Sequence, residues 1–209
     1  MFGLKHAPAT TLILIAIAIM FLVELATGAV YDTAAITSLG AIIPGTLENH
    51  EYWRLVAAMF LHGGWVHVAV NSWALYQLAT LYENMFGTGR FLFMYFATGV
   101  IASISSALHV QGPSVGASGA IFGILGAFIF SILRSPQWRH EKWTRSLIGQ
   151  LVFMGIVNIA IGLRVPIIDN WAHLGGLAAG LVLGFLPHRV PPPPPSRQVI
   201  EVRPYHGSE

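Results

Sequence analysis

Apolar residues run along this chain in long blocks separated by short polar or Gly/Pro-rich breaks, and the block lengths carry the first reading. About 20 consecutive apolar residues cross the hydrocarbon of a bilayer as a helix. The first block, Ala9–Ala29, is interrupted only by Glu24. Val30 to Leu55 is mixed, with Asp32, Pro44, Glu48, Glu51 and the pair Trp53-Arg54; it is too long for a tight turn and too polar to cross, so it is expected to lie at the interface. Further blocks follow at His62–Leu81, Phe91–Leu108, Ser118–Leu133, Leu147–Leu163 and Asn170–Leu186. Six blocks predict an all-α membrane protein, a bundle of six transmembrane helices over residues 9–187. A short N-terminal segment, 1–8, precedes it, and a Pro-rich tail, 188–209, is expected to be extended and disordered.

Composition agrees with the blocks. Hydrophobic residues make up 55% of the chain and charged residues only 10%, against roughly 25% charged in soluble domains. The absence of cysteine excludes disulfides and thiol catalysis. No basic cluster is interleaved with exposed aromatics, so nucleic acid is not an expected partner. Lys5 before an apolar run resembles a signal peptide, but Thr11 to Val30 has spanning length and no clear cleavage site follows, which favours a retained helix. Six spans put both termini on one side. If that side is cytoplasmic, Lys5, Arg90, Arg134, Arg139, Lys142, Arg145, Arg189, Arg197 and Arg203 lie inside and only Arg54 and Arg164 outside. This is the charge bias that orients membrane proteins. Without an Arg/Ser-rich transit-like N-terminus, a bacterial-type plasma membrane is favoured over an organelle.

Orientation gives the polar residues a common depth. The second, fourth and sixth blocks run from outside to inside, so His62, His67 and Asn71, then Ser118, then His173 all fall in the outer leaflet. Intramembrane ionisable groups are expensive and mark a functional site facing the bundle interior. His67 and Asn71, four apart, share one helical face. Ser118 closes Gly116-Ala117-Ser118-Gly119 at the mouth of a helix, beside free backbone donors and a positive dipole end. Taken alone it reads as an N-cap; with a base nearby it reads as a nucleophile. Two small-residue ladders, Gly119-Gly123-Ala127 and Ala172-Gly176-Gly180-Gly184, permit close helix approach. If they face each other, Ser118 and His173 come within hydrogen-bond reach. Asp169 stands four residues before His173, as an orienting carboxylate or, the favoured reading, as an N-cap, with Asn170 the next candidate for that cap.

The joint order of Trp53-Arg54, His62, His67-x-x-x-Asn71, Glu83 before Gly87, Gly116-Ala117-Ser118-Gly119 and Ala172-His173-x-x-Gly176-x-x-x-Gly180 resembles the rhomboid intramembrane serine proteases across all six blocks. The resemblance implies a rhomboid-like fold and hydrolysis of a peptide bond in or near the transmembrane helix of a membrane-protein substrate, without a cofactor. It casts Ser118 as nucleophile and His173 as general base. His67 and Asn71, with the Ser118 N–H, would form the oxyanion site, and Gly116 would leave room for the peptide. Phe122 stands where some members carry Tyr and is expected to pack on the His173 ring. Trp53, Arg54 and Glu83 look structural. His62 stays open between a neighbour of the oxyanion site and an interface residue. One rival is a metal site using His62, His67 and His173, which the roughly 140° between His62 and His67 on one helix disfavours. The other is an inactive relative that only binds membrane proteins.

Overall fold

The computed structural model describes residues 6–139, 142–165 and 168–186. The tail 188–209, with Arg189, Arg197 and Arg203, lies outside the described residues, as do Lys5 and His140. Among those described there are nine α-helices and no β-strand. Helix α1, Pro8–Thr27, has proline in its first turn and ends on Gly28 at φ 75°. Of its buried positions, Ala9, Ile13, Ile17, Phe21 and Glu24 form a stripe at spacings of three and four, with Thr10 buried beside it. Short α2, Thr33–Leu39, is capped by Asp32, whose Oδ1 accepts from the Ala34 N–H at 2.7 Å. Helix α3, Arg54–Ala57, continues into a 3-10 turn, Ala58–Phe60. Then come α4, Trp65–Phe86, and α5, Thr88–Ala107, joined at Gly87 with φ 85°. Helix α6 is Ser118–Arg134, α7 Pro136–Arg139, α8 Lys142–Gly162 and α9 Asn170–Leu183.

Three of these, α1, α5 and α8, are long and apolar enough to cross a membrane, and α3 with α4 makes a fourth crossing if the bent pair is one span. The bend is 94°. Helices α6 and α9 carry the ladders and are shorter. Fourteen residues of α9 reach only about 21 Å against roughly 30 Å of hydrocarbon. Every residue from Gly119 to Phe128 is buried, so α6 is enclosed by its neighbours, chiefly α4, α5 and α9. By contrast the apolar stretch of α8 is not buried against the rest of the protein.

The ladders work in two directions. A Cβ on Gly176 would land inside the Gly119 carbonyl, and one on Gly180 inside the Gly123 carbonyl, so α9 lies on the α6 backbone. The space left by Gly119 and Gly123 themselves is filled by Ala102 and Thr98 of α5. The α6 ladder therefore admits α5, while the α9 ladder admits α6.

Polar residues fasten the periphery. Glu83 of α4 accepts from the N–H groups of Ala9 and Thr10 at 3.0 and 2.8 Å and from the hydroxyls of Thr10 and Thr88. A carboxyl group thus satisfies the orphan donors at the start of α1. Arg54 reaches the carbonyls of Thr37 and Ala41, pairs with Glu51 at 2.7 Å and lies over the Trp53 ring. At the opposite end from Ser118, Arg90 and Arg134 donate to the carbonyls of Leu186 and Phe185, just past α9.

Candidate active site

The loop between α5 and α6 fixes where α6 begins. Ile42 and Ser114 exchange two backbone hydrogen bonds, 2.9 and 2.8 Å, and the Gly116 N–H donates to the Ala58 carbonyl at 2.8 Å. Gly116 turns at φ 130°, in the region that favours glycine. A Cβ there would come within 2.8 Å of His67 Nε2 and 3.3 Å of Asn71 Nδ2. Ala117 occupies the N-cap position and Ser118 is the first helical residue, so the Ser118 hydroxyl does not cap the helix. It pairs instead with His173, whose Nε2 is 2.9 Å from Ser118 Oγ.

His173 is held by the packing of its helix and by a ring beside it. The α9 ladder presses its first turns onto α6, and the Phe122 ring stacks on the imidazole at 4.4 Å between centroids and 9° between planes. Nδ1 of His173 is buried with no hydrogen-bond partner. Asp169 does not supply one. Its Oδ1 accepts from the Ala172 N–H at 2.9 Å as the N-cap of α9, and its Oδ2 accepts from the hydroxyls of Ser114, at 2.7 Å, and Ser106. Asn170 instead donates to the Ile159 carbonyl at 3.1 Å, tying α9 to α8.

His67 and Asn71, one turn apart on α4, face the same cavity as Ser118, Gly116 and His173, a space of about 850 Å3 lined largely by apolar side chains such as Trp65, Val70 and Ile161. The side-chain amide nitrogen of Asn71 is buried and unpartnered, a free donor beside Gly116. Gly176 and Gly180 lie outside the cavity and act through the α6–α9 contact.

The expected helical start at His62 does not hold. Gly63 and Gly64 separate it from α4, which begins at Trp65 with Gly64 at φ 142°. His62 sits in the bend, fully buried, and its ring meets the His67 ring edge-on at 5.1 Å. The angle of about 140° expected between them assumed one continuous helix, and the break removes that premise. The His62 N–H donates to Glu24 Oε1 at 2.9 Å, which accounts for a carboxyl group inside α1 that periodicity leaves unexplained. Among the described residues no group of three or more His, Cys, Asp or Glu is arranged to hold a metal ion. Ser106 and Ser114 escape sequence reading because neither lies in a motif; only their nearness to Asp169 in space singles them out.

The fold is thus a helical membrane bundle in which a hydroxyl and an imidazole, hydrogen-bonded to each other, line a largely apolar cavity. The rhomboid domain model matches residues 49–190. The rhomboid protease GluP of Bacillus subtilis (strain 168) is 37% identical over 175 residues, 83% of this chain and 34% of that protein. YdcA of the same bacterium is 35% identical over 147 residues, 67% of this chain and 69% of that protein. RHOMBOID-like protein 6, mitochondrial, of Arabidopsis thaliana is 36% identical over 157 residues, 74% of this chain and 50% of that protein. The chain belongs to the rhomboid family. It spans about a third to a half of the length of GluP and the plant relative.

Proposed function

We propose that this chain is an intramembrane serine endopeptidase that cleaves peptide bonds in or near the transmembrane helices of membrane-protein substrates, using Ser118 and His173 as a dyad and no cofactor. The observation that carries the reading is the 2.9 Å contact between Ser118 Oγ and His173 Nε2 at the edge of a largely apolar cavity. In this mechanism Ser118 Oγ attacks the scissile carbonyl carbon while its proton passes to His173 Nε2. The tetrahedral oxyanion is met by the side chains of His67 and Asn71 and by the Ser118 N–H, which has no intrahelical partner on the first turn. The imidazolium then protonates the leaving amine, the C–N bond breaks, and an acyl-serine remains. A water gives a proton back to Nε2 and attacks the ester; its collapse returns the proton to Ser118 and releases the carboxylate.

The bilayer reading extends to six spans, with the enclosed α6 and the partly exposed α9 as the two shorter ones. Arg90 and Arg134 at one end and Ser118 and His173 at the other support a site toward the outer face with both termini cytoplasmic, in a plasma membrane. The test is fluorophosphonate labelling and cleavage of a model single-pass substrate by the full chain in liposomes. Ser118→Ala and His173→Ala should each abolish both. Absence of labelling and cleavage in the unaltered protein would make it a binder of membrane proteins instead.

A further inference from the structure

Two hydrogen bonds cross from the α5–α6 segment to the start of α9 in the same register. Ser118 meets His173 at 2.9 Å, and Ser114, four residues earlier, meets Asp169, four residues before His173, at 2.7 Å. The second bond is anchored on both sides. Ser114 is fixed to Ile42 by two backbone hydrogen bonds. Asp169 is fixed by the Ala172 N–H in α9 and by the Ser106 hydroxyl at the end of α5. One carboxyl group therefore joins the loop that delivers the serine, the helix that delivers the histidine and the helix behind both. The start of α9 is also met by the His109 ring, stacked on Trp171 at 3.8 Å, and by the Ser105 hydroxyl on the Trp171 carbonyl. Among the described residues, however, the Asp169–Ser114 bond is the side-chain hydrogen bond between that loop and α9, and Nδ1 of His173 has no partner to hold its ring.

We propose that Asp169 is a positioning residue whose bond to Ser114 sets the separation of Ser118 and His173; this rests on the protease reading above. It acts through the backbone and not as a third member of the site, since both its oxygens are already taken by groups other than the imidazole. A misplacement of about 1 Å at a reacting centre can lower rates about a hundredfold, so loss of the clamp should appear in the chemical step.

Three variants separate the clamp from the cap. Asp169→Ser keeps an N-cap of equal quality but is too short to reach Ser106 and Ser114. Ser114→Ala removes one hydroxyl and leaves the backbone pairing with Ile42. Asp169→Asn keeps the shape, the cap acceptor and a group able to bond both hydroxyls. The rate of Ser118 labelling by a fluorophosphonate should fall about 10- to 100-fold in Asp169→Ser and in Ser114→Ala, with kcat on a model substrate falling and KM little changed. The double variant should be no slower than the slower single, as for two halves of one contact. Asp169→Asn should stay close to the unaltered protein. Equal labelling rates in the unaltered protein and in folded Ser114→Ala would overturn the clamp, as would a change confined to KM or an Asp169→Asn as slow as Asp169→Ser. An unaltered protein that neither labels nor cleaves would overturn the protease reading, and the positioning role with it.

Discussion

Gly176 of α9 lies directly on the carbonyl oxygen of Gly119, with no space for one added carbon. The obstacle is backbone, which no rotamer change can move aside. Gly176→Ala must therefore push α9 off α6 and carry His173 away from Ser118. Overpacking of this kind is expected to lower stability by about 1–3 kcal/mol and to abolish fluorophosphonate labelling. Gly149→Ala, where an added carbon meets nothing, should change neither. Thermal unfolding in detergent alongside labelling checks both; an active Gly176→Ala would reject the role of close approach.

Asn71 offers the cavity an unpaired amide. Asn71→Ala is expected to lower kcat by about 10²- to 10³-fold, the size of one oxyanion donor, while the protein stays folded. Unchanged turnover would remove Asn71 from the oxyanion site.

Gly116→Ala combines two faults, a side chain at φ 130° and a carbon within 2.8 Å of His67 Nε2. The backbone strain alone amounts to about 1–3 kcal/mol. Because the displaced ring faces the cavity, turnover should fall further than stability does. Equal losses in both would point to the turn alone.

Glu24 meets the His62 N–H inside the protein. Glu24→Leu leaves that donor buried and unpaired, a loss of about 1–3 kcal/mol, whereas Glu24→Gln keeps an acceptor and should melt near the unaltered protein. A Glu24→Leu protein as stable as Glu24→Gln would show that the contact contributes nothing.

Chelators should leave cleavage unchanged. Activity lost on treatment with a chelator and restored by zinc alone would revive a metal site built on His67 and His173.

The site was legible where its residues sit on regular helices. His67 and Asn71 keep their four-residue spacing on α4, and the α9 ladder signals close approach because glycine at every fourth position has one physical use in a membrane helix. Legibility ends where periodicity ends. The apolar pattern runs through His62 and predicts a helix there, yet Gly63-Gly64 breaks the chain just beyond and the bend turns His62 into the bundle. The bonds from Ser106 and Ser114 to Asp169 connect a helix end, an irregular loop and a cap, and no pattern along one segment reports a contact among three. The number of crossings is hard to read from block length for a related reason: α6 is enclosed by protein, so its length answers to its neighbours and not to lipid thickness.

The matched family segment starts at residue 49, but the protein does not divide there. Glu83, from inside that segment, holds the opening turn of α1, while Glu24, from α1, holds the bend that presents His62 to His67. Each half keeps an acid that bonds backbone N–H groups of the other. A truncation at the family boundary would remove Glu24 from the His62 N–H and take Ala9 and Thr10 away from Glu83 at once, so both ends of the bundle would lose a buried acid's contact.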